Sequence, residues 1–277
     1  MRKKEKNKNK VKKRWWEKLI LALLIIIFVM AIIFTIIGDL FPTQNYTGTV
    51  VKEIEYLKKP YNVNDILSKN KISDNDISTA ETALRNSGIT FFYNGKYDDY
   101  FLDDNQSFIA SATCKLYDYE LGALFEKYIN HSSSVNNLVT IEELTITKDE
   151  DSINHSIKLV LLFNLKNVLN ISNSNNLGYL EQIYLTINTK AYVAPDNIFT
   201  ITNDQELKIN NLPSDQSKTV LNFINKAYTT ENNNLNIEEL SLNFFKSFVN
   251  KIVSKTNTKL SLETTQYNNG IFTFSVV

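Results

Sequence analysis

The apolar residues of this chain follow three spacings in succession. Residues 19–38, "LILALLIIIFVMAIIFTIIG", form a run of twenty without a charged side chain. At about 1.5 Å per residue, a helix of that length spans roughly 30 Å, the thickness of a bilayer's hydrocarbon core. Further on the period drops to two. "SFIASATCKL" puts Phe108, Ala110, Ala112, Cys114 and Leu116 on one face of a strand. At Asp118 the period becomes that of a helix. Leu121, Leu124, Phe125, Tyr128 and Ile129 fall on one stripe, with Asp118 as cap and Glu120 at the positive end of the helix dipole.

Gly122 stands inside that helix, in a chain with only seven glycines. A helix-interior Gly costs about 1 kcal/mol against Ala, so its presence predicts close approach of another backbone. The strands that follow would supply it. "LVTIEELTIT" alternates with a phase slip at Glu142-Glu143, the mark of a bulge. "INHSIKLVLLFNL" places Ile153, Ile157, Leu159, Leu161, Phe163 and Leu165 on one face, with Val160 and Leu162 on the other. "EQIYLTINTKAYV" alternates likewise, and "NIFTITNDQELKIN" continues as a strand or a pair. Short polar breaks between long strands predict an antiparallel meander.

Three further helices follow from the 3.6-residue period. They are "DNDISTAETALRNSG" stopped by Gly88, "PSDQSKTVLNFINKAY", and "NIEELSLNFFKSFVNKIVSK". "ITFFYNGKYDDYFL" reads as a hairpin turning at Asn94-Gly95, and "TKLSLETTQYNNGIFTFSVV" as a second one near Asn269-Gly270. The expected fold class is α+β: an N-terminal transmembrane helix, then a domain with a long curved antiparallel sheet packed on several helices.

Charge changes the picture by giving the chain a direction. Residues 1–18 hold ten Lys or Arg and two Glu, so the other 259 residues are left with a net −8. The positive-inside rule puts the N-terminus in the cytoplasm and the body outside. The run after Gly38, "DLFPTQN", has no small-residue cleavage site, which favours a retained anchor over a signal peptide. The expected divisions are 1–18, a basic cytoplasmic segment; 19–38, the membrane helix; 39–75, a stalk with one strand, "TVVKEIEYL"; and 76–277, an extracytoplasmic domain. The expected localisation is therefore the cell membrane, single-pass. An acidic body speaks against nucleic acid as a partner, since phosphate contacts need clustered Lys and Arg.

The residues offer little chemistry. Cys114 is the only cysteine and alternates with apolar neighbours, so it reads as a buried thiol. His131 and His155 lack companions at metal-ligand spacing. "SKNK" at 68–71 and "SDN" at 73–75 match two motifs of penicillin-binding proteins. Here they adjoin in a polar stalk without the third, and they read as coincidence. Asp98, Asp99, Asp103 and Asp104 lack the Gly and Glu of a calcium loop. The expectation is no catalytic residue, no cofactor and no metal.

The order "LYDYELGALFEKYI", "INHSIKLVLLFNLK", "LEQIYLTINTKAYV", "LKINNLPSDQSKTVLNFINK" resembles the YpmS-like membrane-anchored proteins of Gram-positive bacteria, which are similar to the tubular lipid-binding (TULIP) superfamily. The resemblance covers roughly 108–228. It implies a curved sheet wrapped on a helix around an apolar groove. Leu121, Leu124, Phe125, Tyr128, Leu159, Leu161 and Phe163 are the candidates to line it. The expected function is then a non-enzymatic extracytoplasmic protein binding lipid or lipid-linked envelope material. The alternative is an assembly subunit of an envelope or conjugation-type complex, with membrane-protein partners. An open groove favours the first; a packed core favours the second.

Overall fold

The computed structural model describes residues 53, 55–68, 72–87, 113–132, 139–149, 153–164, 181–227, 237–265 and 269–276. The expected membrane helix 19–38, the hairpin at Asn94-Gly95 and the acidic doublets at 98–104 lie outside them. Among the described residues no helix is long and apolar enough to cross a membrane.

The elements run α1 (Val63–Ile66), α2 (Asp74–Asn86), β1 (Thr113–Tyr117), α3 (Asp118–Ser132), β2 (Val139–Lys148), β3 (His155–Asn164), β4 (Gln182–Val193), β5 (Phe199–Ile201), β6 (Glu206–Ile209), α4 (Ser214–Ala227), α5 (Ile237–Thr256), β7 (Thr258–Thr264) and β8 (Gly270–Val276). The class is α+β with antiparallel sheets. The strands form two sheets where one was expected: a five-stranded meander β2-β3-β4-β5, with β6 also on β4, and a three-stranded sheet β1-β8-β7. Alternation identifies a strand and its faces but not its neighbour. That is why β1, which pairs with β8 from the far end of the chain, was not separable from the meander by pattern.

The register of β2 on β3 shifts between Ile141 and Glu143. The bulge lets Ile141 and Leu144, three apart, both face inward, and it bends the strand. Leu159, Leu161 and Phe163 of β3 and Ile183, Leu185 and Ile187 of β4 join them in one buried cluster with α3 and α5. Ile153 does not take the inward place its spacing predicted. It lies before β3 begins and is 82% exposed.

Helix α3 answers the question that Gly122 raises. Asp118, Gly122 and Glu126 are four apart and so share a stripe. Its two ends reach the edge of β2. Asp118 Oδ2 accepts from Ile146 N at 3.1 Å, and Glu126 Oε2 accepts from Ile141 N at 2.7 Å. These carboxylates close edge amides that a sheet otherwise leaves open to pairing. Between them, a Cβ on Gly122 would lie 3.1 Å from Leu144 Cβ and 2.6 Å from Ile72 Cδ1. The missing side chain lets the helix lie against the strand. Asp118 Oδ2 also accepts from Gly270 N at 2.9 Å, which ties β8 of the smaller sheet to β2. Gly270 is likewise pressed on β2: a Cβ there would stand 2.5 Å from Ile146 Cβ.

Among the described residues four non-glycine positions have positive φ, and all are asparagines: Asn197, Asn210, Asn211 and Asn257. Asn tolerates the left-handed region because its side chain bonds locally. Asn197 also clamps the β4–β5 turn to β7, giving Nδ2 to Thr258 O at 2.7 Å and taking Leu260 N on Oδ1 at 2.8 Å. In these turns Asn does the work that Gly does elsewhere.

The expected stalk is part of the domain well before residue 75. Glu53 and residues 55–57 are helical where a strand was predicted, and Tyr56 and Leu57 pack on the main cluster. Two adjacent residues turned to one core suit a helical turn, whereas a strand would point them apart. Residues 61–68 then cross the outer face of the five-stranded sheet.

Candidate functional site

The seven residues expected to line an apolar groove meet in one place, but as neighbours in a packed interior. Leu121, Leu124 and Phe125 project from α3 and Leu159, Leu161 and Phe163 from β3; all six are buried, and Tyr128 is half-buried against them. The volume beneath the bent sheet is taken by aromatic rings. Phe125 lies 5.2 Å from Phe245 and 5.3 Å from Phe248, and Phe199 lies 5.8 Å from Phe245. Tyr128 covers the margin, 5.4 Å from Phe248 and under Lys251 Nζ at 5.3 Å. Phe245 and Phe248 belong to the segment "NIEELSLNFFKSFVNKIVSK", whose period marks it as a helix. That they fill the concave side was not legible, since helical spacing gives a face and no partner.

The outer face is different. By register its inter-strand rows are Thr147–Ser156–Lys190, Thr145–Lys158–Asn188, Glu143–Val160–Thr186 and Thr140–Leu162–Tyr184. The first two rows lie open in a depression of about 590 Å³ bordered by Asp204, Gln205 and Glu206. It exists because the edge strand is interrupted. β5 pairs with residues 191–193 of β4 and β6 with residues 185–188, and the chain between them swings out. The other two rows are covered. Ile66 is buried on Val160, Leu162 and Tyr184, with Tyr61, Val63 and Leu67 around it, in a cluster separate from the main core. The rings of Tyr61 and Tyr184 meet edge-on at 5.7 Å, and Tyr61 Oη donates to Gln182 O at 3.2 Å.

A polar catch holds the C-terminal end of this strap. Ser68 N donates to Glu143 Oε2 at 2.7 Å, and Ser68 Oγ donates to Glu143 Oε1. Lys158 Nζ donates to Ile66 O at 2.6 Å and pairs with Glu143 Oε2 at 3.1 Å. Thr145 Oγ1 adds a bond to Glu143 Oε1 at 2.9 Å. Burial alone would raise the Glu143 carboxyl, but hydrogen bonds from Ser68, Lys158 and Thr145 together hold it below the ordinary glutamate range. The serine of the "SKNK" match thus has a lysine beside it, Lys158 at 3.1 Å. Lys158 Nζ is taken up by the Ile66 carbonyl, Ser68 Oγ and Glu143 Oε2, so the trio is built as a clasp. Lys158 is ninety residues from Ser68, and no spacing rule would have joined them.

Two further carboxylates beside the depression are likewise engaged. Asp149 takes Ser156 Oγ at 2.6 Å and Lys190 Nζ at 2.9 Å, which lowers its carboxyl from the usual value. Glu206 takes Lys208 Nζ at 3.3 Å and Asn188 Nδ2 at 3.2 Å. Cys114 is buried, and burial pushes its thiol up to about 11, a direction opposite to that of a reactive cysteine. His155 is buried at the start of β3 with Nδ1 unpartnered; burial, and Lys148 beside it, lower its imidazole below the usual value. The side chain of His131 lies outside the described residues. Among the described residues no three His, Cys, Asp or Glu gather as metal ligands. No protein-family model, curated protein or solved structure matches the chain.

Proposed function

We propose that this protein is a single-pass membrane protein with an extracytoplasmic, non-enzymatic domain that serves as a subunit of a larger envelope assembly. The observation that carries the choice of subunit over lipid carrier is the filled inner face. Phe125, Phe199, Phe245 and Phe248 occupy the space that a lipid chain would need. A TULIP-like lipid carrier, as the sequence resemblance implies, would require α3 and α5 to part from the sheet. What supports the anchor is the uncharged run 19–38 behind ten basic residues. What supports a binding rather than catalytic role is that Ser68, Glu143 and Lys158 satisfy one another.

The test has two arms. Protease added to intact, wall-stripped cells should remove the domain; protection until lysis would refute the topology. A photo-crosslinking residue in place of Thr147 or Asn188, in the open depression, should capture a protein partner in the membrane. Failure to capture one, together with stoichiometric lipid in gently extracted full-length protein, would return the reading to lipid binding.

A further inference from the structure

We infer that residues 61–68 form a strap that opens from the outer face while the body stays folded, with Ser68, Glu143 and Lys158 as its catch. Four observations on different parts of the strap lead there. Its apolar contacts form their own cluster of four buried residues, of which Ile66 alone belongs to the strap. Its helix, α1, has four residues, too short to persist without tertiary support. Its far side is held by polar bonds: Ser68 and the Ile66 carbonyl on Glu143 and Lys158, and Tyr61 on a backbone carbonyl. Both ends are moored elsewhere. Tyr56 and Leu57 pack on the main cluster, Lys59 Nζ reaches Gln216 Oε1 at 2.9 Å, and Ile72 is buried beside α3 with its N–H on Glu142 O at 3.2 Å. A segment moored at both ends and lightly held between them opens as a loop, at a fraction of the cost of global unfolding.

Opening has a definite consequence for the surface. Val160, Leu162 and Tyr184 would be uncovered, and they continue the rows of the open depression along the same strands. Lys158 belongs to both places: it lines the depression and holds the strap. Closed, the outer face offers a short polar hollow. Open, it offers a longer face with an apolar half. The inference does not depend on the membrane reading, because it concerns the domain alone.

The single native thiol makes the experiment self-controlled. Full-length protein in detergent micelles carries Val160→Cys beneath the strap, and Cys114 reports on the inner core. Under a thiol reagent the introduced cysteine should be modified at least about tenfold faster than Cys114, which corresponds to opening at least 1.4 kcal/mol cheaper. Equal or slower modification would overturn the inference, since the strap would then open only with the body. Adding Lys158→Met should speed modification of the introduced thiol by about tenfold more, and that thiol should remain faster than Cys114. If the introduced thiol is not accelerated, the catch is wrongly assigned. Ser68→Ala, a smaller change, repeats this arm if Lys158→Met fails to fold.

Discussion

Leu161 and Leu162 are neighbours on β3 and almost equally hidden, at 3% and 5% exposure. They point to opposite faces, and what hides them differs. Leu161 lies in a cluster closed by α3 and by the twenty-residue helix α5, whose rings interlock. Leu162 lies under a strap with one four-residue helix and a salt-bridged catch. Equal burial is therefore not equal constraint. A cover of long interlocked helices should follow a lost side chain less than a short strap that can settle into the space.

The largest expected effect separates these two leucines. Leu→Ala in a core costs about 2–5 kcal/mol, depending on how far the site collapses. Leu161→Ala should fall near the top of that range and Leu162→Ala near the bottom, by denaturant unfolding of the full-length protein. Equal losses would show that the strap is as rigid as the helices. The next effect tests the inner face from the other side. Gly122→Leu would gain up to about 1 kcal/mol if α3 were exposed there, and should instead lose about 1–3 kcal/mol by overpacking. Ile72 Cδ1 can swing away, but Leu144 Cβ is fixed to the strand, so the sign is destabilising. A raised melting temperature would sever the argument that α3 lies against β2 through its missing side chain.

This comparison also marks how far the sequence was readable. The strands, the bulge at Glu142-Glu143 and the helices α2 to α5 could be read because each repeats its own period over many residues. The tight seat of Gly122 could be read because a costly residue in a scarce class signals its compensation. The partition into two sheets could not, since β1 finds β8 across more than half the chain. Nor could the outer face. The strap has no period of its own, Pro60 and Asn62 make it look like linker, and its catch joins Ser68, Glu143 and Lys158 through contacts no local pattern encodes. The aromatic stripe of α5 was visible, but whether it walls a groove or plugs one depends on the distance between helix and sheet.

A smaller effect concerns the catch. Ser68→Ala removes one hydroxyl from Glu143 and leaves Thr145, Lys158 and the Ser68 backbone N–H in place. The loss should be about 0.5–1.5 kcal/mol, the net worth of one hydrogen bond. Ser68→Ala weakens the closed state against both the opened strap and the unfolded chain, so hydrogen exchange at residues 63–68 should quicken while staying faster than exchange in β3 and β4. Equal protection of the strap and these strands would place Ser68 in the cooperative body and erase the difference between the faces.

The smallest effect is expected on acidification, and it gives each face its own pH window. His155 is on the inner side, buried with Nδ1 unpartnered, and its imidazole is held below the usual value by burial and then by Lys148, against the pull of Asp149. Glu143 is on the outer side and is held below the glutamate range by its hydrogen bonds despite burial. In both cases the folded state binds the proton less readily than the unfolded chain does. Each contribution is thus complete above the unfolded pKa and is lost as pH falls through the folded one. For His155 the decline begins near pH 6.5, and for Glu143 near pH 4.3, by reference values. Between about pH 6.5 and 5 the main-core unfolding free energy should therefore fall in the parent and fall less in His155→Gln, while the opening free energy of the strap stays constant. Below about pH 4.3 the strap should begin to loosen as well, and Glu143→Gln should remove its response. If strap and core instead lose stability in step through both windows, the two faces of the sheet answer to one cooperative unit, and the distinction between them fails.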